Sequence, residues 1–169
     1  MQSRELWFNR SFDFTLPISR LPNIIERLRG TPSRLAERTR NLDHNTLIAR
    51  IENRWSIQEH VGHLIDLEGL WSRRAAQFFA GEASLAPTDL SNRQTDDAQY
   101  NTRVLADLLD QFAHARAHFL QQLSDADDVV LARSATHPRL GTPMRLIDLA
   151  LFVAEHDDHH LATITRLRD

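Results

Sequence analysis

The chain carries the stretch His156-Asp157-Asp158-His159-His160 inside an apolar segment near its end. His156 and His160 are four residues apart, so on a helix their side chains project one turn apart on nearly the same side. The helical period places a largely apolar set of residues on this same face: Leu149, Phe152, Val153, Thr163 and Leu167. The pattern therefore predicts two imidazoles on the buried face of a helix, where both can reach one metal ion.

A second histidine pair with the same spacing, His114 and His118, has different surroundings. The apolar face of its predicted helix is formed by Val104, Leu105, Leu108, Phe112, Ala115, Phe119 and Leu123. Both histidines point away from that face. We therefore predict that His114 and His118 are solvated, whereas His156 and His160 are candidate metal ligands.

Composition limits the classes of protein and of chemistry. With 169 residues, 41% hydrophobic and 25% charged, the chain is expected to form a single helical domain over residues 1–169. A formal charge of −3 without a basic stripe argues against a nucleic-acid partner. The sequence shows neither a signal peptide nor an apolar stretch long enough to span a membrane, so we expect a cytoplasmic protein.

The chain contains no cysteine, and all 20 of its basic residues are arginine. Disulfides, thiolate ligands and a cysteine nucleophile are therefore excluded, as is Schiff-base chemistry on lysine. Histidines and carboxylates remain as ligands, acids and bases. Any metal site must use nitrogen and oxygen donors.

Boundary signals divide the chain into four principal helices with little strand signal. The first runs from near Pro22 to Leu28, breaks at Gly30, and restarts with Thr31 as N-cap and Pro32 at the first helical position. This restarted segment is expected to continue to about Leu42. A short helical stretch over residues 45–52 then leads to the second principal helix.

The second principal helix has the clearest start, because Ser56-Ile57-Gln58-Glu59 matches a capping box. It is predicted to reach Phe79 or Ala80 and to stop at Gly81. A third helix follows over residues 95–123, and Pro143 is predicted to open the last helix, which runs to the end of the chain. The fold class predicted is all-α, an antiparallel four-helix bundle, whose core commonly holds metals between facing helices.

A third metal ligand is expected from the second principal helix, which carries His60 and His63. They are three residues apart, so both cannot be central to one apolar stripe. Periodicity slightly favours His60, because His60 lies nearer the centre of the apolar stripe of this helix, whereas His63 lies at the edge of that stripe. Either residue could instead be a histidine at the edge of the core with a satisfied hydrogen bond.

Two motifs resemble those of the DinB/YfiT-like family of metalloenzymes. The segment Trp55-Ser56-Ile57-Gln58-Glu59-His60-Val61-Gly62-His63-Leu64 is similar to its W-S-x-x-E-x-x-x-H-L signature, and Ala154 to Leu161 is similar to its closing H-x-x-x-H helix. The resemblance implies a DinB-like four-helix bundle, often homodimeric, with a divalent ion bound by His63, His156 and His160. It places His60 in packing or beside a ligand, and His159 as a neighbour of the site.

Three neutral imidazoles leave a coordination position for water or substrate, and zinc or nickel suits such a site. We therefore expect a metal-dependent enzyme acting on a small molecule. Within the resembled family some members use a low-molecular-weight thiol in S-transfer or isomerisation, which makes a thiol-dependent transferase or isomerase the leading hypothesis. Asp66, Glu59 and Asp157 are candidates for orienting ligands or moving protons.

Two alternatives remain open from the sequence. The stretch from His156 to His160 also resembles the H-E-x-x-H helix of zinc hydrolases, with Asp157 as the base. A non-catalytic, metal-stabilised binding or stress-response module would instead have a closed coordination shell. The loop segments 89–93 and 137–140 are expected to border the mouth of the site. The aromatic N-terminus is expected to cover one bundle end or a dimer seam.

Overall fold

The computed structural model describes residues 5–168 and consists mainly of helices. In chain order the elements are α1 (Leu21–Arg29), α2 (Thr31–Thr39), α3 (His44–Ile48), α4 (Ile57–Ala80), α5 (Arg93–Asp97), α6 (Leu105–Asp125), α7 (Asp128–Ala132), β1 (Ser134–Thr136), β2 (Pro143–Arg145) and α8 (Leu146–Arg168). Single 3₁₀ turns occur at Trp7–Asn9, Ile18–Arg20 and Tyr100–Thr102. Among residues 5–168, no helix combines the length and the apolar composition that a membrane span requires.

The long helices form the predicted bundle. Helix α4 packs against α6 and α8, while α1 and α2 together occupy the remaining position and pack against α6 and α8. Buried apolar side chains form two clusters, one around Phe78, Phe119 and Met144 and the other around Leu64 and Phe112. The all-α four-helix-bundle prediction is confirmed.

Helix α4 begins and ends where the sequence indicates. Ser56 Oγ accepts a hydrogen bond from the Glu59 backbone N–H, and the Glu59 carboxylate accepts one from the Ser56 N–H at 2.9 Å. Gly81 ends the helix with a φ of +74°, a left-handed conformation in which a Cβ would be strained. The capping box therefore fixes the position of the histidines that follow it on α4.

The third principal helix is shorter than predicted. The segment 95–123 is divided into α5, a 3₁₀ turn at Tyr100–Thr102, and α6 from Leu105. Gln99 has a φ of +52°, which breaks the helical path, and the Tyr100 side chain turns inward to a buried position beside Gly62. Burial of this aromatic ring outweighs the local helical propensity of the segment.

The start of the last helix was also predicted wrongly. Pro143 does not open it but begins β2, in which Pro143–Arg145 pairs antiparallel with Ser134–Thr136. Helix α8 begins at Leu146, and the Asp148 carboxylate accepts a hydrogen bond from the Arg145 backbone N–H at 3.0 Å. Proline is tolerated at the first residue of a strand because a missing N–H there costs little.

Three predicted details near the start of the bundle are corrected. Thr31 is not an N-cap: its side chain is fully buried and its hydroxyl donates to Asp157 Oδ2 at 2.8 Å. The restarted helix ends at Thr39 and not near Leu42. Helix α3 occupies His44–Ile48, with Asp43 as its cap, instead of residues 45–52.

Candidate metal centre

The three histidines implied by the family resemblance come together between α4 and α8. His63, His156 and His160 are all buried, and one ring nitrogen from each lies within 4.8 Å of the other two. The Nε2 atoms of His156 and His160 are 3.2 Å apart. Two nitrogens bound at about 2.0–2.1 Å to one tetrahedral ion would be about 3.4 Å apart. The spacing of this group, which we call the three-histidine cluster, therefore fits a shared metal ion.

Burial keeps the imidazoles of the cluster neutral. It lowers the pKa of His63 from its ordinary 6.5 to about 4. It also lowers the pKa values of His156 and His160 well below 6.5, and the neighbouring histidines lower them further. A metal ligand must offer an unprotonated nitrogen, so the site does not have to lose protons near neutral pH before it can coordinate an ion.

Hydrogen bonds orient His63 through a side chain from α5. His63 Nδ1 lies 3.1 Å from Thr95 Oγ1, and the Thr95 hydroxyl donates to Asp66 Oδ2 at 2.7 Å. Because this hydroxyl has one hydrogen, His63 Nδ1–H must be the donor to Thr95. Nε2 then carries the lone pair available to an ion. Asp66 also accepts hydrogen bonds from the Tyr100 hydroxyl and from Gln94 Nε2, and Thr95 connects it to His63.

His60 is placed beside the cluster and not within it. Its Nδ1 lies 2.8 Å from Nδ1 of His160, on the side of the His160 ring away from His156. In this position His60 contacts His160 directly and restricts the orientation of its ring. The His159 ring contacts the His160 ring edge-on, with centroids 5.4 Å apart, and also contacts Trp7.

The carboxylate of Asp157 is committed elsewhere, contrary to the hydrolase alternative. Asp157 is fully buried and accepts from both Nη atoms of Arg116 as well as from Thr31. Arg116 in turn binds Glu68. With both oxygens held in this way, and away from the cavity beside the histidines, Asp157 is not placed to serve as a general base.

Glu59 has no contact with the three-histidine cluster either. Its carboxylate pairs with Arg50 and completes the capping box of α4. Of the three carboxylates considered from the sequence, Asp66 alone is connected to a histidine of the cluster.

A cavity of about 230 Å³ opens onto the cluster. Both predicted loop segments border it, through Asp89, Leu90, Asn92, His137 and Arg139. The N-terminal aromatic segment covers one side, where the Trp7 ring lies 5.0 Å from both Phe152 and His156. Other cavity residues were not singled out from the sequence: Leu67, Leu70, Trp71, Arg74 and Thr88.

Comparison with solved structures gives the same architecture. YfiT from Bacillus subtilis, described as a probable metal-dependent hydrolase with an unusual four-helix bundle topology, superposes with a TM-score of 0.82 at 20% identity, over 94% of this chain and 91% of that one. A mycothiol-dependent maleylpyruvate isomerase superposes with a TM-score of 0.68 at 13% identity, over 87% of this chain and 60% of that one. At these identities the likeness shows the fold.

Sequence comparison gives the family. Among curated protein sequences none matches this chain significantly. The family model described as the DinB superfamily matches residues 27–164, which include all three histidines of the three-histidine cluster. The chain therefore belongs to the DinB superfamily.

Proposed function

We propose that the protein is a metal-dependent enzyme that acts on a small molecule, with a divalent ion held by His63, His156 and His160. The observation that supports this most directly is the meeting of three neutral, buried imidazoles beside a cavity. Zinc or nickel is the proposed ion, because both accept imidazole ligands. The description of YfiT as a probable metal-dependent hydrolase is consistent with this class.

A divalent ion bound here would act as a Lewis acid and favour the deprotonated form of a bound water or thiol. The chain supplies the environment for that chemistry. Thr95 and His60 fix the orientation of His63 and His160. Trp7 and Trp71 pack against His156 at ring distances of 5.0 and 5.9 Å, which excludes water from one side of the cluster.

Within this class we propose thiol-dependent transfer or isomerisation as the reaction. The chain has no cysteine, so a thiol would be supplied by a low-molecular-weight cosubstrate. The fold is shared with an enzyme described as a mycothiol-dependent isomerase. Hydrolysis is the second candidate, favoured by the description of YfiT, and would need a base other than Asp157. The homodimer implied by the family resemblance belongs to the same proposal.

Metal binding is tested by titrating zinc and nickel into chelator-treated protein and measuring stoichiometry by calorimetry and elemental analysis. We expect one ion per chain, and loss of tight binding in the double variant His156→Ala/His160→Ala. The matched control is His114→Ala/His118→Ala, which removes two exposed histidines of the same spacing from α6. Equal metal affinity in the two double variants would contradict the proposed site.

Binding of a thiol to the proposed metal ion is tested separately with cobalt-substituted protein. Addition of a low-molecular-weight thiol should produce a thiolate-to-cobalt charge-transfer band in the near ultraviolet. Absence of this band with every cellular thiol tried, in protein that retains cobalt, would exclude thiol ligation and leave hydrolysis as the candidate.

A further inference from the structure

A buried arginine forms part of the wall of the cavity. Arg74 is 1% exposed and lies on α4, three turns after His63. Its Nε donates to the Ala86 carbonyl at 2.9 Å, and its Nη1 lies 3.1 Å from His137 Nε2. Its Nη2 is buried and has no acceptor among the described residues. The guanidinium is therefore held in place through its Nε, while Nη2 has no acceptor among the described residues.

Arg139 contributes a second guanidinium to the same cavity. Its Nη2 is likewise buried without an acceptor in the described chain. The group lies over three aromatic rings, at 5.3 Å from Phe8, 5.7 Å from Phe152 and 6.0 Å from Trp7. These contacts fix the plane of the guanidinium but satisfy none of its hydrogen bonds.

Neither arginine is balanced by a carboxylate within residues 5–168. Arg116, which is equally buried, pairs with both Glu68 and Asp157, as a buried charge ordinarily must. The acidic residue on the cavity wall, Asp89, is exposed and accepts instead from Ser91. Burial, together with the nearby charge of Arg139, lowers the pKa of Arg74 to about 10, so Arg74 remains charged near neutral pH, and burial also lowers the pKa of Arg139.

We propose that Arg74 and Arg139 bind an oxyanion, a carboxylate or a phosphate, on the substrate. Guanidinium groups with free N–H donors match the geometry of both anions. The same cavity contains the three-histidine cluster, so a small acid held at its anionic end would present its other end to that cluster. Assigning this substrate class to the reaction rests on the proposed function, whereas the anion subsite itself can be tested without metal.

The test measures anion binding by chelator-treated protein at constant ionic strength. Benzoate, inorganic phosphate and the neutral benzamide are titrated while tryptophan fluorescence is recorded, since Trp7, Trp55 and Trp71 all line the cavity. We expect benzoate or phosphate to bind at least about tenfold more tightly than benzamide, as expected for hydrogen bonds to a charged group. The tighter anion identifies the group that the subsite prefers.

Variants assign the binding to the two arginines. Arg74→Gln and Arg139→Gln should each weaken anion binding by about tenfold or more. Arg73→Gln, which removes an exposed arginine next in sequence to Arg74 and outside this cavity, should leave it unchanged. Circular dichroism checks folding. If Arg74→Gln does not fold, Arg139→Gln decides the question, because its side chain is only partly buried.

Three results would overturn the subsite: equal affinity for benzoate, phosphate and benzamide; unchanged anion affinity in Arg139→Gln; or anion binding that appears only in metal-loaded protein. Metal content is determined on the same preparations. A protein that binds the anion but no metal would contradict the proposed function and leave the subsite standing.

Discussion

The orientation of His63 depends on a single hydroxyl group. Thr95 accepts from His63 and donates to Asp66, so it selects the ring nitrogen that remains free. We predict that Thr95→Val lowers zinc affinity by about 10- to 100-fold, as is typical when a partner of a metal-binding histidine is lost. Thr95→Ser, which keeps the hydroxyl, should retain most of the wild-type zinc affinity. Competition with a chromophoric chelator measures the affinity, and equal values for Val and Thr would show that the hydroxyl is not needed.

The sequence predicted some residues of the candidate site better than others. Helical period placed His156 and His160 on the buried face, and the structure agrees. Period alone could not choose between His60 and His63, because the choice depends on α5, whose Thr95 is 32 positions away from His63. Arg74 and Arg116 were missed because a charged residue on a helix ordinarily indicates a solvated position. Their side-chain partners, which are His137 for Arg74 and Glu68 and Asp157 for Arg116, lie 41 to 63 positions away in the chain.

At the level of elements, the packing of α4 against the turn at Tyr100 offers a direct test. A Cβ on Gly62 would lie 2.2 Å from Tyr100 Cδ2, whereas one on Gly69 of the same helix would meet nothing within 4 Å. We predict that Gly62→Ala destabilises the fold by about 1–3 kcal/mol through overpacking. Gly69→Ala should stabilise it by up to about 1 kcal/mol through helix propensity. Urea unfolding measures both, and changes of the same sign would refute this packing.

The same elements show what local signals can and cannot predict. Both ends of α4 were predictable because a capping box and a glycine act over a few residues. The break between α5 and α6 was not, since it depends on burying Tyr100 against Gly62, 38 positions earlier in the chain. Pro143 was misassigned because proline suits both the first turn of a helix and the first residue of a strand, and its partner strand decides between them.

For the whole molecule, buried histidines predict a loss of stability in mild acid. Burial, with the charges of Arg74 and Arg139, lowers the pKa of His137 from 6.5 to about 4. Between these values the unfolded chain binds a proton that the native protein does not, so stability falls as pH decreases through this window. His137 contributes at most about 1.4 kcal/mol per pH unit.

We predict that His137→Gln, which keeps a polar side chain beside Arg74, reduces this pH dependence in chelator-treated protein. The buried histidines of the three-histidine cluster contribute to the slope that remains. The free energy of urea unfolding, measured at intervals between pH 7 and pH 4, gives the slope. His114→Gln controls for the loss of an exposed imidazole. An identical slope for wild type and His137→Gln would contradict the assigned role of His137.

At the scale of the whole fold, a buried arginine connects the helices of the bundle to one another. Arg116 on α6 binds Glu68 on α4 and Asp157 on α8, and it also donates to the Leu28 carbonyl of α1. This buried charged group thereby connects the two helices that carry the histidines to the rest of the bundle. The four-helix class was predictable from the number and length of amphipathic segments. This cross-connection was not, because it exists only in the assembled fold.

The cover formed by Trp7 has a practical consequence for producing the protein. Trp7 touches both His156 and His159, so any residue placed within about six positions of Trp7, a reach of about 20 Å when extended, lies close enough to contact the cavity. A polyhistidine affinity tag fused at that distance from Trp7 would bring additional imidazoles within reach of the cavity and compete for the ion. Preparations used for metal analysis should therefore carry a cleavable tag that is removed before measurement, or be purified untagged.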